Sequence, residues 1–142
     1  MTRVVATGVF SLIHPGHVLF LNEASKLGDE LIVIVARDKT VGLNKGRGYI
    51  PEKQRLDVIS RLDMVDKAVL GDENDIYKPI IEIKPDIIAL GRDQKFDEIK
   101  LKAALKQRNI DAKVIRIKKY LEGELYSSRQ IIEHIRKNRD KK

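Results

Sequence analysis

The sequence predicts an α/β protein: an open, parallel, five-stranded sheet with helices on both faces. Short Val/Ile/Leu-rich runs alternate with helix-period stretches from one end to the other, the signature of parallel strands joined by crossover helices. Most of the apolar runs lack strict in–out alternation, as expected of strands buried on both faces. The length of 142 residues, 42% hydrophobic and 35% charged, suits one domain spanning 1–142 with its own core and excludes a disordered chain.

Each element has a local reason. Strands are expected at Arg3–Thr7, Glu30–Ala36, Asp66–Leu70, Asp86–Leu90 and Ala112–Ile117. The first helix should begin at Pro15, a favoured first helical residue, and stop at Gly28 as a left-handed terminator. A second runs from Pro51 to about Leu62, with Leu56, Ile59 and Leu62 on one face. A third covers Ile76 to Ile83 and ends before Pro85. The fourth, Asp97 to Arg108, spaces Leu101, Ala104, Leu105 and Arg108 at helical intervals. Ser127 followed by Gln130 reads as a capping box opening a last helix, with Ile131, Ile132 and Ile135 as its apolar stripe.

Composition removes several kinds of function. There is no cysteine, so disulfides, thiolate nucleophiles and cysteine metal sites are excluded. The longest apolar run, Leu31–Ala36, is far short of the roughly 18 residues of a membrane span. The chain opens on a strand-like run in place of a secretory leader, so a cytoplasmic protein without membrane partners is expected. The 28 Lys+Arg against 21 Asp+Glu give +7, which suits phosphorylated small molecules as well as nucleic acid. Much of the excess lies at Arg136–Lys142, which reads as a solvated helix end. Aromatics are 5% and none interleaves with a basic stripe, so nucleic acid is not the expected partner.

Ligands of open α/β sheets bind beyond the carboxyl ends of the strands. The loop after the first strand, Thr7-Gly8-Val9-Phe10-Ser11-Leu12-Ile13-His14-Pro15-Gly16-His17, is the informative one. Pro15 puts His14 and His17 in the first helical turn, where unpaired N–H groups and a partial positive charge make an anion site. Gly16 leaves room for a phosphate against the backbone. Two imidazoles there can donate to phosphate oxygens whose charge grows in a transition state. A metal would want a third ligand, and the remaining histidine, His134, lies on the far C-terminal helix. Structural histidines that cap or pack the turn are the other reading. Rival phosphate motifs are missing, and Gly46-Arg47-Gly48 reads as a basic loop with Lys39 and Lys45.

The pattern Gly8-x-Phe10-x-x-x-His14-x-Gly16-His17 closely resembles the signature of the cytidylyltransferase-like nucleotidyltransferases, whose domain is Rossmann-like. Leu27-Gly28-Asp29-Glu30-Leu31, Pro51-Glu52-x-x-Arg55, Asp66, Lys84-Pro85-Asp86, Gly91-Arg92-Asp93 and Ser127-Ser128 follow in the family's order. Within it, Val35-Ala36-Arg37-Asp38, Ile50-Pro51-Glu52-x-x-Arg55 and Leu90-Gly91-Arg92-Asp93-Gln94 resemble the archaeal FAD synthases. The resemblance implies transfer of AMP from ATP to FMN, with pyrophosphate released. It is next most similar to the glycerol-3-phosphate cytidylyltransferases. It implies catalytic roles for His14 and His17. Nucleotide contacts would come from Val9, Phe10, Pro15, Gly16, Asp93, Tyr120, Ser127 and Ser128. Lys45, Arg47 and Arg55 would meet acceptor or phosphate charge. Magnesium or another divalent cation would be held mostly by phosphates and water. The family commonly dimerises, and a homodimer is the assembly it implies. Ser11 stands where the family commonly has Asp, and Val9 where it has Thr. Ser11 keeps open a nucleotide-binding sensor without catalysis.

Overall fold

The structure, a computed structural model, describes residues 1–41, 50–92, 94, 97–119 and 128–139, of which 128, 129 and 139 by backbone alone. In chain order its elements are β1 (Arg3–Gly8), α1 (Pro15–Ser25), β2 (Glu30–Val35), α2 (Asp38–Val41), α3 (Glu52–Ser60), β3 (Lys67–Leu70), α4 (Lys78–Ile83), β4 (Ile87–Leu90), α5 (Glu98–Gln107), β5 (Lys113–Arg116) and α6 (Ser128–Arg139). All the strand pairs are parallel, in the order β3-β2-β1-β4-β5. The expected α/β sheet is therefore present. The short turn α2 is an addition that the sequence pattern did not announce.

Burial explains the composition of each strand. Leu31 to Val35 of β2 and Val4 to Ala6 of β1 are buried on both faces, so near-continuous apolar runs are required there. The edge strands β3 and β5 are shorter and only partly buried. One apolar layer unites Val4, Ala6, Leu31, Val33 and Ala89 with Leu21 and Ala24 of α1 and Ile59 of α3. The other unites Val5, Ile32, Ile34 and Ile88 with Ile80 of α4 and Leu101 and Leu105 of α5. Helices thus cover both faces. Asp97 starts α5 by accepting hydrogen bonds from the N–H groups of Ile99 and Lys100.

The edge of the sheet opposite the strand ends is pinned by carboxylates. Asp29 accepts from Thr2 N at 2.7 Å, Asp66 from Leu31 N at 2.7 Å and Asp86 from Arg3 N at 2.8 Å. Each uses an aspartate just before, or beside, a strand start to take a backbone donor the ladder leaves unmatched. Arg3 adds bonds to Glu30 and the Ile83 carbonyl.

Gly28 is corrected in its role. α1 ends at Ser25, and its cap Lys26 is right-handed at φ −74°. A Cβ on Gly28 would lie 2.7 Å from the Thr2 carbonyl oxygen and 2.9 Å from Thr2 Cγ2 and Val4 Cγ2. The glycine is there for close approach, because Thr2 O must accept from both Asp29 N and Glu30 N. The left-handed helix ending occurs after α4, where Lys84 has φ 56° ahead of Pro85.

β1, β2 and β3 progress to one side, whereas β4 and β5 lie on the other. The order reverses between β1 and β4, and the crevice beyond their carboxyl ends is the expected ligand site. Gly28→Ala should destabilise folding by about 1–3 kcal/mol through overpacking against a backbone oxygen. Urea unfolding of the variant checks this, and an unchanged midpoint would show that Thr2 moves freely aside.

Candidate active site

The chain leaves β1 through a tight turn. Phe10 has φ 55°, a left-handed conformation costing a non-glycine residue roughly 1–2 kcal/mol. The strain is offset by burial, since Phe10 is only 3% exposed. Its ring folds back over Gly8, where a Cβ would lie 2.6 Å from Phe10 Cζ. A side chain at position 8 would therefore have to displace that ring.

The same ring sets the histidines. Phe10 meets His17 edge-on, with centroids 5.3 Å apart and planes at 64°. His17 stacks on His14 with centroids 3.7 Å apart and planes at 23°. His14 is the N-cap of α1, in extended conformation at φ −140° and ψ 170°. Its carbonyl accepts from His17 N and Val18 N, and its Nδ1 accepts from His17 N at 3.3 Å. An Nδ1 that accepts leaves the proton of a neutral His14 on Nε2. The structural reading of the pair is thus true of one nitrogen of His14, and leaves the other free for chemistry.

Electrostatics keep both rings uncharged. Burial lowers the pKa of His14. Burial, followed by repulsion from His14, lowers that of His17 to about 4, against a weak opposing pull from the Leu12 carbonyl. His17 Nδ1 is buried and has no hydrogen-bond partner among the described residues. A buried polar atom without a partner is costly.

Arg55 stands elsewhere than expected. It was to meet acceptor or phosphate charge, but its side chain is 1% exposed. Nε donates to Ile50 O at 2.8 Å, Nη1 to Val9 O and Ala36 O at 2.8 Å each, and Nη2 to Asp38 Oδ1 at 2.7 Å. The guanidinium is spent on the protein's own loops and lies behind the turn. Asp38 N in turn donates to Glu52 Oε1, while Glu52 Oε2 receives Arg37, whose Nε reaches Gly71 O. Hydrogen bonding from Asp38 N, and secondarily from Arg37, holds the Glu52 carboxyl below its usual range.

A second brace joins β1 to β4. Gln94 accepts from Gly91 N at 2.7 Å and donates to Thr7 O at 3.0 Å. Arg116 holds the Gly91 and Gln94 carbonyls at 2.8 Å each and pairs with Glu98 at 2.6 Å. Sequence reasoning gave no role to Arg37, Asp38, Glu52, Gln94 or Arg116. All flank the loops that follow strands, and that position was the available signal.

Among the expected contacts, Val9, Phe10, Pro15 and Gly16 do share one turn with His14 and His17. Lys45, Arg47, Asp93, Tyr120 and Ser127 lie outside the described residues, and Ser128 is placed only as the backbone start of α6. Among the described residues no group of three or more His, Asp or Glu side chains could hold a metal ion. No helix among the described residues is long and apolar enough to cross a membrane.

The depressed pKa makes a signed prediction. His17 titrates near 4 when folded and near 6.5 when unfolded. The unfolded chain therefore binds the extra proton between these values. The stability tied to neutral His17 is complete above about pH 6.5 and is lost as pH falls toward 4. NMR titration should find the His17 ring neutral at pH 5.5, and a midpoint at 6.5 or above would refute the burial argument.

Comparison with known proteins places the chain in a family. A family model described as cytidylyltransferase-like matches residues 5–134. A protein of Archaeoglobus profundus named FAD synthase is 61% identical over 135 residues, covering 95% of this chain and 86% of the relative. One of Archaeoglobus fulgidus with the same name is 54% identical over 131 residues, covering 92% and 95% respectively. A solved structure from Thermoplasma volcanium, named a lipopolysaccharide core biosynthesis protein, superimposes with a TM-score of 0.81 at 51% identity, covering 85% of this chain and 99% of that one. With its histidine pair at the strand-order reversal and this match over nearly its whole length, the chain belongs to the cytidylyltransferase-like family.

Proposed function

We propose that the protein is an FAD synthase that transfers the adenylyl group of ATP to FMN and releases pyrophosphate. The observation that carries the chemistry is the stacked, uncharged His14–His17 pair at the opening of α1. The relatives named FAD synthase support the choice of substrates. Cytidylyl transfer to glycerol 3-phosphate gains no support from them.

The reaction asks for little proton transfer. The FMN phosphate monoester is largely ionised at pH 7, its second pKa being about 6. One of its oxygens attacks the α-phosphorus in line while the bond from that phosphorus to the β-bridging oxygen breaks. The electron pair leaves with pyrophosphate. What the site supplies is orientation and donors aimed at oxygens that gain charge. His14 offers Nε2–H, fixed by the Nδ1 bond to His17 N. His17 lies stacked beside it. The N–H of Gly16 lies ahead of any intrahelical acceptor and adds to the positive end of α1.

Neutral rings suit a site that must admit a polyanion and then respond to it. The incoming triphosphate raises the pKa of both imidazoles, so their donors strengthen when negative charge is present. A divalent cation, if it enters with the nucleotide, would screen the charge of the phosphates. Asp93, Tyr120, Ser127, Ser128, Lys45 and Arg47 complete the nucleotide and acceptor contacts on this reading. Arg55 acts through the protein, as developed below.

The test is direct. ATP or CTP is incubated with FMN, glycerol 3-phosphate or a sugar phosphate, and pyrophosphate and product are measured. FAD from ATP and FMN is expected. Pyrophosphate only with CTP, or only with another acceptor, would replace this reading, and nucleotide binding without turnover would favour the sensor. His14→Ala and His17→Ala should each lower kcat by about 10²–10⁴-fold with the fold retained.

A further inference from the structure

We propose that Arg55 is a positioning residue for the transfer: by clamping the Val9 and Ala36 carbonyls from beneath, it holds Phe10 in its left-handed turn and thereby seats His17. The inference rests on the adenylyl-transfer reading for its kinetic consequence, and on the fold alone for its geometric one.

The contacts form a short chain. Arg55 Nη1 donates to the carbonyl of Val9, the residue immediately before the left-handed Phe10. The same Nη1 donates to Ala36 O, and Ala36 N donates to Gly8 O at 2.9 Å, so both sides of the turn are tied to one group. Phe10 then fills the space over Gly8 and presents its ring to the edge of His17. His17 stacks on His14. Displacing the guanidinium releases the Val9 carbonyl, and with it the restraint that opposes a return of Phe10 to an ordinary backbone conformation.

The residue type argues against a merely space-filling role. A buried cation is expensive unless saturated, and an apolar side chain of similar volume often does as well for stability. Here the charge is matched by one carboxylate, Asp38, and three carbonyls drawn from the segments after β1, after β2 and before α3. Lysine offers donors from a single nitrogen and cannot reproduce a planar fork that reaches separate loops. The Glu52–Arg37–Gly71 bonds extend the same lattice to the end of β3 and hold Asp38 in place.

The experiment compares Arg55→Lys and Arg55→Met with Leu105→Ala. Leu105 is fully buried on α5, in the apolar layer on the other face of the sheet from the one that holds Phe10. Urea unfolding fixes conditions in which each variant is folded. Two quantities are then read: the His17 ring-proton shifts in the free protein, and kcat and KM for ATP and FMN. In Arg55→Lys the His17 signals should move as the Phe10 and His14 rings leave them. Its kcat should fall roughly 10- to 100-fold, with a smaller change in KM. Leu105→Ala should lose stability while keeping the wild-type shifts and kcat.

Wild-type His17 shifts and turnover in folded Arg55→Lys would overturn the proposal. So would equal effects in Leu105→Ala, which would reduce them to lost stability. Arg55→Met repeats the test without the charge wherever that variant folds. The ring-shift measurement needs no substrate, so it judges Arg55 even if the wild-type protein makes no FAD.

Discussion

β1 is the strand on which the site depends, because it alone is paired with β2 on one edge and β4 on the other at the reversal of strand order. Its pairing with β4 ends at Ala6, whereas that with β2 continues to Gly8. Beyond those points its carbonyls run out of ladder partners just where the chain must turn. Buried backbone acceptors have to be satisfied somehow. Two side chains do so from opposite sides: Gln94 takes Thr7 O on the β4 side, and Arg55 takes Val9 O on the β2 side. The polar braces around the site are thus a consequence of its location at a topological switch, before any catalytic demand is considered.

That origin explains how function is grafted on the fold. The crevice exists because the strands diverge, and the turn that crosses it can afford a strained Phe10 because both of its approaches are anchored. Held there, Phe10 packs edge-on against His17, whose Nδ1 has no hydrogen-bond partner among the described residues. The cost of that orphan atom is tolerable beside β1 and β2, whose central residues are buried. Strain and unsatisfied polarity are thus concentrated in one turn after β1.

Much of this was legible in the residues. Apolar runs without alternation located the sheet, and Pro15 located the start of α1, because both signals are local. The histidine pair was legible for the same reason, since its spacing and its place after a strand suffice. Arg55 was misread because a cation near a phosphate motif looks like a ligand contact until the fold shows which way it faces. Its spacing of four from Ile59 put it on the buried stripe of α3, the one clue to its real position. Gly28 was assigned to a helix ending, whereas its reason is the passage of Thr2, a contact across strands that no local pattern contains. Asp66 and Asp86 were noticed only as landmarks, and their work as acceptors for neighbouring strand starts emerges from the register.

The absence of a carboxylate beside the described histidines then follows from the chemistry proposed. An acid–base dyad serves a reaction whose nucleophile must lose a proton, and a phosphate monoester at neutral pH has already lost it. An Asp partner hydrogen-bonded to the imidazoles would draw them toward a standing positive charge. Burying the stacked rings, with Phe10 at the edge, does the opposite: burial disfavours protonation of both, and His14 further disfavours that of His17. The site is then electrically quiet when empty, and gains donor strength from the polyanion that enters it. Its selectivity for charge is built from what the fold withholds from the histidines, and the positive balance of the surrounding chain is left to attract the substrates from solution.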